Sequence, residues 1–406
     1  MTGRARANGE GSIYPHRNGF AAYVWVCTPA GKRTRKYVYG PDRETVHRKW
    51  VELLRIAAQR PVATRVPTVA EWLTTWLAEE VEPNLAPASA VNYAMFVRLY
   101  IAPVLGPVRL DRLSVQDVQR WLNALRGQCQ CCSQGKDAGR PARLRRCCAM
   151  GECCESRLSA RSIADVRAAL RSALTSAATR ELIARNPAAL VKLPAARKRR
   201  RKAWTTEQAR TFLESAKVSA DALYAAYVLV LVLGLRRGEV LGLVWDDLDL
   251  DGGELTVGLQ LQPGGGRLLH RDTKTEASEA TLPLPDICVT ALRKARARQD
   301  EARRLAGDAW QDEVGFVFTT RYGRPVEPRN MVRSFHARIA RAGVPNISVH
   351  DARRTCATLL VDLDVHPRVI MQILRHAQIS VTMEIYSQTP SRRTREALRR
   401  LSESLG

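Results

Sequence analysis

The sequence predicts a mainly helical protein with small β-sheets (α+β). It would have a three-stranded sheet plus helix, then a helical domain, then a mixed helical domain with a small antiparallel sheet. Three observations carry this. Residues 9–60 hold short strand-like runs between turn signals. From residue 66 onward, apolar residues recur at helical spacing behind capping residues. Between residues 254 and 284 the pattern returns briefly to short strands. A length of 406 residues leaves room for two or three domains, and no internal repeat stands out.

Strands are expected at 11–14, 20–28 and 33–39, with turns at Arg17-Asn18-Gly19 and Pro29-Ala30-Gly31-Lys32. Asp42 is placed to cap a helix running to Gln59. Arg17, Lys32, Arg33, Arg35 and Lys36 fall on or beside these turns and strands, with Tyr and Trp interleaved. Such a sheet fits a DNA groove; the plain alternative is a solvated basic face. Next, Pro67 and Thr68-x-x-Glu71 read as a helix start with a capping box, and Trp72, Trp76 and Leu77 as its core face. Ser114 to Asp117 opens a helix carrying Trp121, Leu122 and Leu125, and a long amphipathic helix follows Ser159.

An insertion at residues 128–156 interrupts this helical domain. It holds seven of the ten cysteines: Cys129, Cys131, Cys132, Cys147, Cys148, Cys153 and Cys154. Gly, Lys, Arg and Pro lie between them, too little apolar material for a core, so a structural zinc is the expected substitute. The spacing departs from two C-x-x-C pairs, and free or redox-active thiols and disulfides are the alternatives. Seven is odd, so a single four-cysteine site leaves at least one thiol out.

Arg197, Lys198, Arg199, Arg200, Arg201 and Lys202 form an unbroken cationic run between Pro194 and Trp204. It reads as an interdomain linker crossing phosphates, or as a solvated linker. Thr205-x-x-Gln208 opens the next helix. The apolar run 222–235 spans 14 residues, too short for a bilayer, and reads as a buried helix. Strands are expected at 254–260, 267–270 and 280–284, and helices near Asp286, Pro328, His350, Pro367 and Ser391.

The charge is the outlier of the composition. With 64 Lys+Arg against 40 Asp+Glu, the net is +24. Residues 1–60 carry 12 basic and 4 acidic groups, 61–194 carry 18 and 11, and 195–202 carry 6 and none. Residues 203–406 carry 28 and 25. Such a field favours nucleic acid first and an anionic membrane second. With no spanning segment and no secretion signal in view, the chain is expected in a reducing compartment, off the membrane.

Six residues of the balanced half carry the chemistry: Arg236, Lys274, His350, Arg353, His376 and Tyr386. Arg236 follows a buried helix, where a rigid base suits a forked contact to phosphate, and Glu239 is spaced to hold it. Ser348 and Asp351 bracket a helix start that carries His350 and Arg353 on one face of its first turn, an anion-binding position. Tyr386 lies ten residues after His376. A phenol nucleophile and fixed cations suit attack on a phosphodiester. Asp247-x-Asp249-x-Asp251-Gly252 imitates the start of a calcium loop, but position twelve is Gly258 where a bidentate Glu is needed. It reads as an acidic loop entering a strand.

In combination these motifs resemble the tyrosine recombinase (phage integrase) family over nearly all of residues 205–390. The matching motifs are Gly234-Leu235-Arg236 with Glu239, Thr273-Lys274-Thr275, His350 with Arg353 and Thr355, and His376 followed by Tyr386. The resemblance implies an arm-type DNA-binding domain at 1–64 and a core-binding domain at 65–194. It further implies a linker at 195–203, a catalytic domain at 204–390 and a tail helix at 391–406. It implies that Tyr386 forms a 3′-phosphotyrosine, that Arg236 and Arg353 clamp the non-bridging oxygens, and that Lys274 protonates the leaving 5′-oxygen. His350 would accept or relay a proton and His376 would hydrogen-bond the phosphate. No cofactor is implied for catalysis. Expected partners are double-stranded attachment sites, three further copies of the chain on synapsed DNA, and a directionality factor or host DNA-bending protein. The expected place is the nucleoid of a bacterial cytoplasm. Two departures from the family pattern are Arg375, where Gly is usual and where Arg would crowd or add charge to the site, and Arg354, where His is common. A dimer-resolving recombinase and a DNA-binding protein without cleavage are the competing readings.

Overall fold

The computed structural model describes residues 13–28, 31–59, 62, 66–194, 203–264, 267–272, 280–376, 378–386, 399–400 and 402–404. The chain divides into two compact units, Met1–Ala196 and Arg197–Gly406.

In the first unit β1 (Tyr14–His16), β2 (Gly19–Cys27) and β3 (Arg33–Gly40) form an antiparallel sheet in that order. The first strand starts later than the expected 11–14. The reversal at Arg17, whose φ is +50°, pairs His16 with Gly19 and Tyr14 with Ala21, and this tight turn fixes the register. Asp42 caps the Arg43–Gln59 helix, accepting the Thr45 N–H at 2.7 Å. Val46, Trp50 and Leu53 of that helix cover Ala22, Val24 and Val26 of the sheet. The opposite sheet face is left to solvent.

The helical part starts as its caps dictate. Thr68 with Glu71 and Ser114 with Asp117 form reciprocal capping boxes at the Val69–Trp76 and Val115–Gly127 helices. Trp72, Trp76, Trp121 and Leu122 meet Val166, Leu170 and Leu174 of the Ala160–Thr179 helix in one core. Buried indoles keep partners: Trp72 donates to the Ala173 carbonyl at 2.8 Å and Trp121 to that of Tyr100 at 3.0 Å. The Pro87–Leu105 run is long and apolar enough to cross a membrane by length and composition, but Val97, Ile101 and Leu105 belong to this core.

The second unit is helices around the buried Tyr224–Val232 helix, with two small sheets. Trp204, Phe212, Tyr227 and Phe335 stack at its centre. The strand expected at 254–260 is two strands. Gly258 separates β5 (Glu254–Val257), which pairs with β4 (Leu248–Asp249) and β8 (Ala280–Pro283), from β6 (Leu259–Gly264). β6 pairs instead with β7 (Arg267–Asp272) in a separate ribbon. That ribbon lies against the Arg237–Gly242 helix so closely that a Cβ on Gly242 would sit 2.7 Å from the Leu261 nitrogen. The acidic loop enters the first sheet as expected: Asp249 Oδ1 accepts the N–H groups of Asp251 and Gly252, and Asp251 pairs with Arg293 at 2.8 Å. The helix expected near Ser391 lies outside the described residues.

Candidate active site

The site grows from the end of the Tyr224–Val232 helix. After that apolar element the chain turns at Gly234, whose φ is +60°. A Cβ there would run into the Leu374 side chain, so only glycine fits on both counts. Arg236 caps the Arg237–Gly242 helix, and Glu239 reaches back to it. One Glu239 oxygen accepts the Arg236 N–H at 2.7 Å and the other accepts its guanidinium at 2.5 Å.

Arg353 arrives from the first turn of the Val349–Asp362 helix, where Ser348 and Asp351 form the expected capping box. It is buried, and it donates to the Gly234 carbonyl at 2.5 Å and to the carbonyl of Leu374. Its nitrogen lies 3.9 Å from Glu239. Arg375 comes from the end of the Pro367–Leu374 helix and donates to the same carboxylate at 2.7 Å. Three guanidinium groups thus surround one carboxylate, a local excess of two positive charges. Burial pushes the Glu239 carboxyl up, but Arg375 and Arg236 overcome this and hold it below its usual range. Burial, and then Arg236, pull Arg353 down to about 9, still charged at neutral pH.

His376 follows Arg375, with Nδ1 3.0 Å from the buried Thr382 hydroxyl. Burial first, then Arg353, Arg236, Arg375 and His350, lower its pKa to about 4. The ring is therefore neutral at physiological pH and offers one N–H rather than a charge. His350 is exposed at the second position of its helix. The structure brings Arg236 and Arg353 together around Glu239, and His376 lies within the field of both arginines and of His350.

The Ile379–Tyr386 helix packs on the Val349–Asp362 and Pro367–Leu374 helices and ends at Tyr386, whose side chain is outside the described residues. Lys274 and the run Arg197–Lys202 are outside them as well. Of the two effects expected of Arg375, it adds charge rather than crowding the site: its side chain turns inward onto Glu239 as the third guanidinium at that carboxylate. Its φ of +51° explains why the family pattern has Gly there. Sequence reasoning missed the Arg375–Glu239 pair because 136 residues separate the partners.

The N-terminal sheet sorts its cations by strand alternation. Arg33 and Arg35 share the exposed face with Tyr23, Trp25, Tyr37 and Tyr39. Arg35 lies 4.8 Å from the rings of both Tyr23 and Trp25, and Arg33 lies 5.5 Å from Trp25. Lys36 is one residue out of step and leans to the helix-covered side, where burial lowers its pKa. Lys36 therefore lies on the strand as expected but apart from the face that Arg33 and Arg35 share with the aromatic rings. Arg17 and Lys32 sit exposed at the two turns.

Residues 202–392 match the phage integrase family, and residues 68–126 match the phage integrase N-terminal SAM-like domain. The chain is 27% identical to a "Tyrosine recombinase XerC-like" protein of Caldanaerobacter subterraneus over 92% of this chain and 93% of that one. It is also 27% identical to an "Integrase" of Streptomyces ambofaciens, over 94% and 93%. The Tn1549 transposon integrase, solved in complex with transposon right end DNA, shares the fold at a TM-score of 0.64 with 19% identity. The match covers 82% of this chain and 99% of that one. With the arginine cluster, the histidines and the tyrosine-bearing helix in the family's order, the chain belongs to the phage integrase family of tyrosine recombinases, enzymes that cut and rejoin DNA.

Proposed function

We propose that the chain integrates or excises a mobile element by strand exchange between two DNA sites. Tyr386 attacks the scissile phosphorus, forming a 3′-phosphotyrosine as the bond to the 5′-oxygen breaks. His350 takes up the phenol proton. Lys274 gives a proton to the departing 5′-oxygen, which is a poor leaving group without one. Arg236 and Arg353 hold the two non-bridging oxygens, and neutral His376 donates its N–H to one of them. The reverse attack by a 5′-hydroxyl rejoins DNA, so one phosphoester replaces another and neither ATP nor a catalytic metal is required.

The observation that carries this reading is the cluster of Arg236, Arg353 and Arg375 around one carboxylate. Its excess of two positive charges matches the two negative charges of a pentacoordinate phosphorane. Buried Arg353 is held by carbonyl groups, so its position is set before DNA arrives. Exchange between two duplexes cuts four strands. With one tyrosine per chain it calls for four protomers, and a directionality factor or a host DNA-bending protein would choose the direction. The tail at residues 391–406 would dock on a neighbouring protomer, with packing on its own chain as the alternative. The working place is the bacterial nucleoid.

The exposed basic and aromatic sheet supports an integrase over a dimer-resolving enzyme, because it supplies a second DNA grip apart from the catalytic unit. The test uses two supercoiled plasmids, each carrying one attachment site of the element. An integrase joins them and yields hybrid junctions. Exchange only between identical sites on one plasmid would identify a resolving enzyme. DNA binding with no exchange and no covalent intermediate would identify a binding protein.

A further inference from the structure

The insertion at residues 128–156 leaves and rejoins the helical domain at one point, where the Gln130 N–H bonds to the Ser156 carbonyl at 2.8 Å. Inside it no apolar core forms: Leu144 and Met150 are exposed, and none of its residues joins a hydrophobic cluster. What its interior holds is sulfur. Cys129, Cys132, Cys148 and Cys153 bring their sulfurs within 4.8 Å of one another, and so do Cys131, Cys147, Cys148 and Cys154. Cys148 belongs to both sets, so seven cysteines make two complete four-sulfur sets with none left over.

The spacing selects the ligand. A tetrahedral zinc with Zn–S bonds of about 2.3 Å has sulfurs about 3.8 Å apart along each edge. Here the Cys132–Cys153 and Cys148–Cys154 pairs are 3.7 Å apart, Cys131–Cys147 is 3.8 Å, and Cys129–Cys148 is 3.9 Å. Cys129 and Cys154, one from each set and both beside Cys148, are 3.9 Å apart. We propose that the seven cysteines bind two zinc ions, with the Cys148 thiolate bridging them and three terminal thiolates completing each tetrahedron.

The surroundings are built for such a cluster. Asp137, fully buried, accepts the N–H groups of Arg146, Cys147 and Ala149 and pairs with Arg140 at 2.9 Å. That carboxylate winds the loop so that Cys147 and Cys148 face the other cysteines. Two zinc ions and seven thiolates carry a net charge of −3, and Lys136, Arg143, Arg145 and Arg146, against Glu152 and Glu155, offset part of it within the same insertion. The cluster takes the place of a hydrophobic core, so metal binding and folding of the insertion are one event.

The test is metal content of the full chain, purified under reducing conditions, by native mass spectrometry and elemental analysis. Two zinc ions per chain are expected. Cys132→Ser, which touches one set only, should lose one zinc and keep the other. Cys148→Ser should lose at least one. After exchange with ¹¹³Cd, the unmutated chain should give two resonances with scalar coupling between them, since only a shared thiolate connects the ions; this readout does not depend on how a variant folds. One zinc per chain, none, bound iron in place of zinc, or two uncoupled cadmium resonances would overturn the bridged pair.

Discussion

Arg375 poses the sharpest energetic question, because two effects of opposite sign meet there. Its backbone is left-handed, which disfavours a side chain by about 1–2 kcal/mol, offset in part by the entropy that glycine loses on folding. Replacing it by glycine therefore releases about 1 kcal/mol of strain. The same change removes a 2.7 Å charged hydrogen bond to Glu239, which is 2% exposed. Breaking a buried pair costs about 3–5 kcal/mol, and the lower end applies because Arg236 and Arg353 still face the carboxylate. Arg375→Gly should then destabilise the region by about 2 kcal/mol, roughly a 30-fold rise in local opening. Hydrogen exchange in peptides from the Val349–Asp362 and Pro367–Leu374 helices reads that opening directly. With Glu239→Gln already present, the pair is gone and only the backbone term remains, so adding Arg375→Gly should be neutral or protective. If Arg375→Gly protects these helices in the otherwise unchanged chain, the buried pair is not what holds Arg375 in place.

Three further outcomes follow from the same geometry. Lys274→Ala should slow strand cleavage by about 10²–10⁴-fold on ordinary DNA. The loss should nearly vanish on a substrate with sulfur at the 5′-bridging position, a leaving group that needs no proton; an equal loss on both substrates would remove the acid role. Arg35→Ala should weaken binding to arm-type DNA and lower the salt dependence by about one counterion, in a titration of affinity against salt. For His376, the folded pKa is about 4 against an ordinary 6.5. The unfolded chain takes up the proton first as pH falls, so this contribution to stability is whole above pH 6.5 and drains away toward pH 4. Urea midpoints of His376→Asn should fall less over that window than those of the unmutated chain.

Much of the architecture was legible because it is local. Thr68, Ser114, Thr205 and Ser348 mark four helix starts, and each start forms where expected, with a reciprocal capping box to the residue three positions on. The order of Arg236, His350, Arg353, His376 and Tyr386 gave the family. What stayed hidden depends on partners distant in sequence or on strand phase. Nothing near Arg375 announces Glu239. Lys36 follows Arg35 by one position, and that single step takes it to the other face of the sheet. Gly258 reads as an ordinary strand glycine until the strand splits there into two sheets. The odd count of cysteines implied a leftover thiol, and only their placement showed that Cys148 serves both sets.

In the proposed mechanism Tyr386 becomes covalently joined to DNA in a field of arginines, without a catalytic metal. A nicked duplex carrying the element's crossover site, incubated in EDTA with the unmutated chain and with Tyr386→Phe, tests it directly. The expected result is a protein–DNA band that survives SDS, is lost on protease treatment, and appears only with the tyrosine present. A salt-sensitive shift of the same DNA with no such band, or a band that persists in Tyr386→Phe, would contradict it.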